Sequence, residues 1–175
     1  MISFFRKTSA IKINASPAIM KNVPKKDGGS FQVTDRQGAI FVEGANGKDQ
    51  VYDWSKKVSF AIAENDYTIL MRAFKEYDAS LTFIKDPSND KKIIAKGYLN
   101  GSLIHDPNKG NDKAGSLIKT LSLTNGTNVG TYFLTILYTE NKKQTSKVSI
   151  SMCNGDLARL RLFIEQNMTL VVGAA

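Results

Sequence analysis

Apolar and polar residues alternate along most of this chain with the two-residue period of half-buried strands, and twice the period lengthens to that of a helix. Over Ala10–Ala15, Ile11 and Ile13 face one way and Lys12 and Asn14 the other. Phe31–Thr34 and Ala39–Glu43 flank Gln37-Gly38 and read together as a hairpin. Lys57–Ala63 sets Val58, Phe60 and Ile62 against Ser59 and Ala61. Then Tyr67, Leu70, Met71 and Phe74 fall at helical spacing, with Asn65 as the expected N-cap and Asp66 in the first turn. Strands are predicted again at Ser80–Lys85, Lys92–Leu99, Ser116–Leu123, Gly130–Thr139 and Ser146–Met152. Within the fourth of these, Tyr132, Leu134, Ile136 and Tyr138 share one face. A final helix starts at about Asp156, with Asn154 or Asp156 near its cap and Gly173 beyond its end. Its buried stripe is Leu157, Leu160, Ile164, Met168 and Val171. Turns are expected at Asp27-Gly28-Gly29, Gln37-Gly38, Asn46-Gly47, Asn100-Gly101, Asn125-Gly126 and Asn154-Gly155.

The order strands, helix, strands, helix predicts an α+β fold built from a duplicated sheet-plus-helix unit. No low-complexity linker interrupts it, so one domain is expected over residues 1–175, with an internal pseudo-repeat of about 6–78 and 79–173.

Composition narrows the function. The 175 residues are 42% hydrophobic, enough for a core and too many for a disordered chain. Lys and Arg number 24 against 16 Asp and Glu, a surplus of +8 that points to a polyanionic partner. Residues 1–78 carry +3 (12 less 9) and residues 79–175 carry +5 (12 less 7), which excludes a neutral domain with a basic tail. One Cys excludes a disulfide framework, a cysteine zinc site and an iron–sulfur cluster.

Catalytic constellations fail in turn. His105 stands beside Asp106, but no Gly-x-Ser-x-Gly elbow supplies a nucleophile, and His105 is read as a residue of a strand end or turn. Cys153 is expected to be a small structural apolar residue, and Phe60 and Phe83 are read as core. The glycines of Gly110–Ser116 lack the lysine of a phosphate loop. Asp90, Asp106 and Asp112 form no calcium-loop pattern. The reading is a non-enzyme with no metal or cofactor. With no secretory signal, transit peptide or membrane span evident, a cytoplasmic protein is expected.

Single-strand nucleic-acid binders combine a positive groove with aromatic platforms on which bases stack. Here Tyr52, Trp54, Lys56, Lys57 and Phe60 interleave, as do Phe83 with Lys85, and Lys92 and Lys96 with Tyr98. Tyr52 and Trp54 flank an acidic residue in a polar stretch, so a base platform and a structural role both fit.

The run Gln50-Val51-Tyr52-Asp53-Trp54-Ser55-Lys56-Lys57-Val58-Ser59-Phe60 resembles a signature of the Whirly single-stranded-DNA-binding proteins, and Ile104-His105-Asp106-Pro107-Asn108-Lys109-Gly110 resembles their His-Asp-Pro-x-Lys-Gly motif. Lys119–Leu123 and Leu157–Met168 are similar to the next strand and closing helix of that family. The resemblance implies two antiparallel β-sheets packed blade-like, each followed by a helix, and assembly into tetramers or dimers. It implies binding of single-stranded DNA with little sequence preference, in replication, recombination or transcription. Arg6, Lys7, Lys12, Tyr52, Trp54, Lys56, Lys57 and Lys96 are the candidate contacts. RNA binding by the same fold and self-assembly without a nucleic-acid role are the alternatives. Arg6–Lys12 keeps the charge and small residues of the family's Lys-Gly-Lys-Ala-Ala-Leu strand but not its glycine. Ser80–Asn100 resembles an insertion containing a hairpin and the pair Asp86-Pro87, and a chain of this kind fits a phage or bacterial relative.

Overall fold

Alternation decides which side of each strand is buried, and in the computed structural model, which describes residues 1–86 and 89–172, two sheets turn their apolar sides inward. The strands are β1 (Ile2–Phe5), β2 (Ser9–Ser16), β3 (Ile19–Pro24), β4 (Ser30–Arg36), β5 (Ala39–Lys48), β6 (Val51–Tyr52) and β7 (Val58–Ile62), followed by α1 (Glu64–Ala79). Then come β8 (Thr82–Asp86), β9 (Asn89–Lys96), β10 (Asn100–His105), β11 (Leu117–Asn125), β12 (Thr131–Glu140), β13 (Lys143–Cys153) and α2 (Asn154–Val172). The first sheet runs β1-β2-β5-β7 with the short β6 paired to the end of β5, and the second runs β10-β11-β12-β13. All pairings are antiparallel. The α+β class and a helix after each sheet agree with expectation. Pro87, and Gly173 beyond the final helix, lie outside the described residues.

One hydrophobic cluster draws on both sheets and both helices, including Ile11, Ile13, Val42, Phe60, Leu134, Ile150 and the whole expected stripe of α2. β13 crosses the inner face of the first sheet, where a β-carbon on Gly44 would lie 2.8 Å from Val148 Cγ1, so this crossing requires glycine. Side chains from the first sheet also stand in for a missing neighbour of edge strand β13. Its Lys147, Ser149 and Ser151 carbonyls accept from Asn46 Nδ2 (2.9 Å), Ser9 Oγ (2.8 Å) and Arg6 Nε (2.9 Å). At edge strand β7 the Tyr138 hydroxyl donates to the Ser59 carbonyl (2.6 Å) and accepts the Ser59 N–H (2.7 Å). Both edges are thereby closed to further pairing at these positions.

Several local expectations are corrected. Phe31–Thr34 and Ala39–Glu43 do not pair, because β4 pairs β3 while β5 pairs β2 and β7. The ladder ends at Ser16 and Ala39. Just beyond it the Ala18 and Gly38 N–H groups donate to the Leu170 and Val171 carbonyls of the last turn of α2. Asn46-Gly47 and Asn100-Gly101 lie within strands β5 and β10. The reversal after β5 instead uses Asp49 and Gln50, both at positive φ (52° and 68°), as Asn141 and Lys142 (48° and 66°) do between β12 and β13. Two consecutive positive-φ residues match the twist of a two-residue hairpin loop, and Asx residues tolerate that conformation. Ala63, not Asn65, is the N-cap of α1, and the Asp66 carboxylate accepts the Ala63 N–H at 2.9 Å. Phe60 is buried as expected, but Phe83 and Cys153 are exposed.

Candidate nucleic-acid interface

The first surface is built by a chain reversal. After the Asp49-Gln50 turn, β6 pairs back on β5, and the Asp53 carboxylate accepts the Ser55 N–H (3.1 Å) and hydroxyl, capping a single 3-10 turn over Trp54–Lys56. The Ser55 hydroxyl and the Lys56 ammonium hold the Asp53 carboxyl below the usual carboxylate range. This segment lies on the outward side of the first sheet, where Ala10 and Ala45, a directly opposed pair, are fully buried. The Tyr52 hydroxyl donates to the Arg6 carbonyl (2.6 Å), and its ring lies 5.7 Å from that of Phe5. Lys12 Nζ sits 4.2 Å from the Trp54 ring centroid, a cation–π contact. A half-buried indole carrying an ammonium, two residues along from a tyrosine that packs on an exposed Phe5, offers a stacking face and a positive charge within one short reach.

The remaining candidate cations are differently placed. Arg6 pairs with Asp156 and donates to Ser151, which ties it to the second sheet and α2. Lys57 pairs with Glu43 at 2.5 Å, Lys56 with Asp53 at 3.3 Å and Lys7 with Asp49 at 3.8 Å. The structure thus brings Arg6, Lys7, Lys12, Tyr52, Trp54, Lys56 and Lys57 to one sheet, and of these five cations all but Lys12 are held by carboxylates. Lys96 is elsewhere, on the β8–β9 hairpin, opposite Thr82.

A second surface escaped the sequence reading. The outward side of β11, β12 and β13 forms a trough of about 480 Å³, with Thr120, Ser122, Thr124, Thr135 and Ser149 along it and Phe133, Leu137 and Lys147 among them. The Thr135 and Ser149 hydroxyls lie 2.7 Å apart. Hydroxyls can donate to phosphate or base edges, Phe133 supplies an apolar face, and Lys147 makes no ion pair among the described residues. The signal was present: Phe133, Thr135 and Leu137 are the counter-face of the alternation that places Tyr132, Leu134 and Ile136 in the core.

The profile of the family described as Whirly transcription factors matches residues 4–100, more than half of the chain. The chain belongs to the Whirly family. Its fold is similar to that of WHY1 from Arabidopsis thaliana, with a TM-score of 0.71 and 16% identity, over 98% of this chain and 84% of that one. WHY3 from Arabidopsis thaliana gives 0.70 and 16%, over 98% and 88%. The plant transcriptional regulator PBF-2 gives 0.72 and 15%, over 98% and 89%. At these identities the likeness is one of fold. No curated protein sequence matches the chain.

The Whirly fold puts the His-Asp-Pro motif to structural use here. His105 Nε2 donates to the Asp66 carboxylate (2.9 and 3.0 Å) rather than meeting its neighbour Asp106, and its ring stacks on Phe60 at 4.2 Å. This ties the end of β10 to the start of α1. Asp106 accepts the Asn108 N–H (2.9 Å) and the Gly115 N–H (2.7 Å), pinning both ends of the loop between β10 and β11. Among the described residues no cluster of His, Cys, Asp and Glu is arranged to hold a metal ion, and no helix is long and apolar enough to cross a membrane.

Proposed function

We propose that this Whirly protein binds single-stranded DNA with little sequence preference, protecting it during replication, recombination or transcription. The observation that carries the reading is the Tyr52–Trp54 segment, which presents an indole with Lys12 against it on the outer face of a sheet. Stacking on an aromatic face is worth on the order of 1–3 kcal/mol per base and works with any base. Neutralising phosphates adds an affinity that weakens steeply with salt. Trp54, Tyr52 and Lys12 form the base-stacking platform. Lys7, Lys56 and Lys57 lie around it as exchangeable counter-charges, and the hydroxyl trough of the second sheet supplies a further contact. A tetramer or dimer fits the family, and an assembly would set several such surfaces side by side.

Fluorescence anisotropy of labelled oligonucleotides at two salt concentrations tests the reading. Tight binding of single strands at low salt, weakening as salt rises, with quenching of Trp54, is expected. No binding at low salt, or equal affinity for duplex, overturns it. Competition between matched DNA and RNA strands decides which polymer is preferred.

A further inference from the structure

The β8–β9 hairpin belongs to neither sheet; its two strands pair only with each other. Its base is firmly seated. Asn154 Nδ2 donates to the Ala95 carbonyl (3.3 Å), the Tyr98 N–H donates to Ser80 Oγ (2.7 Å), and Asn125 bridges the Gly97 carbonyl and the Leu99 N–H, both at 2.7 Å. Beyond that base Phe83 is 70% and Ile93 69% exposed, and at the base the Tyr98 side chain is 63% exposed, large surfaces that contribute nothing to the core. Between the hairpin and the loop joining β11 to β12 lies a cleft of about 530 Å³, which Tyr98, Lys96 and Thr82 line from one side and Asn125, Thr127 and Asn128 from the other.

Position gives this cleft meaning. The trough of the second sheet ends at Thr124 and Phe133, which are opposite one another, and the next residue of β11, Asn125, already lines the cleft. Thr124 and Asn125 point to opposite faces of β11, so a strand that leaves the trough at that end and turns over the end of β11 meets Tyr98 and Lys96. Residues 82–96 carry four lysines and two aspartates, a surplus of +2 (4 less 2). Lys92 pairs with Asp86, while Lys85, Lys91 and Lys96 make no ion pair among the described residues.

We propose that this hairpin and the β11–β12 loop form a second contact for the single strand, receiving nucleotides that run past the trough and so lengthening the stretch each chain covers. The inference rests on the single-strand reading above. Unpaired lysines complement phosphates, and an exposed tyrosine with amide and hydroxyl groups suits a splayed-out base better than it suits an apolar protein segment.

The test is a Lys96→Ala/Tyr98→Ala double variant, whose side chains are both exposed and whose fold is checked by circular dichroism. Affinities are measured for unlabelled oligothymidylates of about 8 and about 24 nucleotides. The short strand should bind as to the unaltered chain, while the long one should lose roughly tenfold, with fewer nucleotides covered per chain at saturation. Unchanged affinity for the long strand, or an equal loss for both lengths, overturns the inference. Failure of the unaltered chain to bind even the short strand overturns the single-strand reading itself, and this contact with it.

Discussion

Each sheet is antiparallel and followed by a helix, the first taking β1, β2, β5 and β7 with β6 at its end and the second β10 to β13, and both bury one face in the same cluster; their outer faces have little in common. The first is overlaid by the Tyr52–Trp54 segment, and the cations around it are held by Asp156, Asp49, Asp53 and Glu43 or rest on an indole. The second carries a row of hydroxyls, one exposed-side phenylalanine and Lys147, which no carboxylate neutralises among the described residues. The lesson concerns charge. A lysine already 2.5 Å from Glu43 must give up that pair to meet a phosphate, so it returns less than a free one. The surplus in the sequence therefore overstates what the first sheet offers.

Arg6 gives the largest expected effect. Asp156 is mostly buried, and Arg6 also satisfies an edge carbonyl of β13, so Arg6→Ala removes the cation facing Asp156, which keeps only Cys153 as a donor among the described residues, and the donor to that carbonyl. Loss of a hydrogen bond to a charged group costs about 1.5–3 kcal/mol, and a drop of that order in denaturant unfolding is expected, with an unaltered salt dependence of binding. Unchanged stability together with weaker binding would instead put Arg6 on the strand and erase the contrast between the sheets.

Next come the aromatic faces. Trp54→Ala on the first sheet and Phe133→Ala on the second should each cost about 1–3 kcal/mol of affinity if each stacks one base. A loss confined to Trp54 would reduce the trough to a feature of the fold. Among the cations, Lys147→Ala should lower the slope of log affinity against log salt by about 1, as the loss of one phosphate contact does, and Lys57→Ala by clearly less. Equal slopes for the two variants would mean that the Glu43 pair does not restrain Lys57.

What could be seen in the sequence, and what could not, follows the same divide. The stripe of α2 was legible because a helix with one buried face repeats its apolar residues through Leu157, Leu160, Ile164, Met168 and Val171, all buried. The β12 alternation was legible for the same reason. β10 was missed because it opens on Asn100-Gly101, a turn signal, and offers only Gly101 and Leu103 to the core. Phe83 was misplaced because alternation says which residues share a face, not whether anything covers that face. The Tyr52–Trp54 surface could be reached from its own residues, since they are adjacent in the chain. The state of its cations could not: Arg6 meets Asp156 from 150 residues away, and Lys57 meets Glu43 across a strand pair.

The smallest expected effect tests how the covering segment is held. Asp53 caps the turn that carries Trp54, and its carboxyl titrates below the ordinary range because of the Ser55 hydroxyl and the Lys56 ammonium. A group whose pKa is depressed in the folded chain supports it fully above the unfolded value and loses that support as pH falls through the folded one. Trp54 is the sole tryptophan, so its fluorescence reports on this turn alone. On acidification the emission should hold steady through the pH at which an ordinary aspartate protonates and shift only below it. In Asp53→Asn, which keeps an acceptor for the Ser55 N–H but loses the charge facing Lys56, that low-pH shift should disappear while the fold persists. A transition at the ordinary aspartate pH, or one that survives in Asp53→Asn, would mean that the packing of Tyr52 against Phe5 and Lys12 against Trp54 holds the segment without help from Asp53.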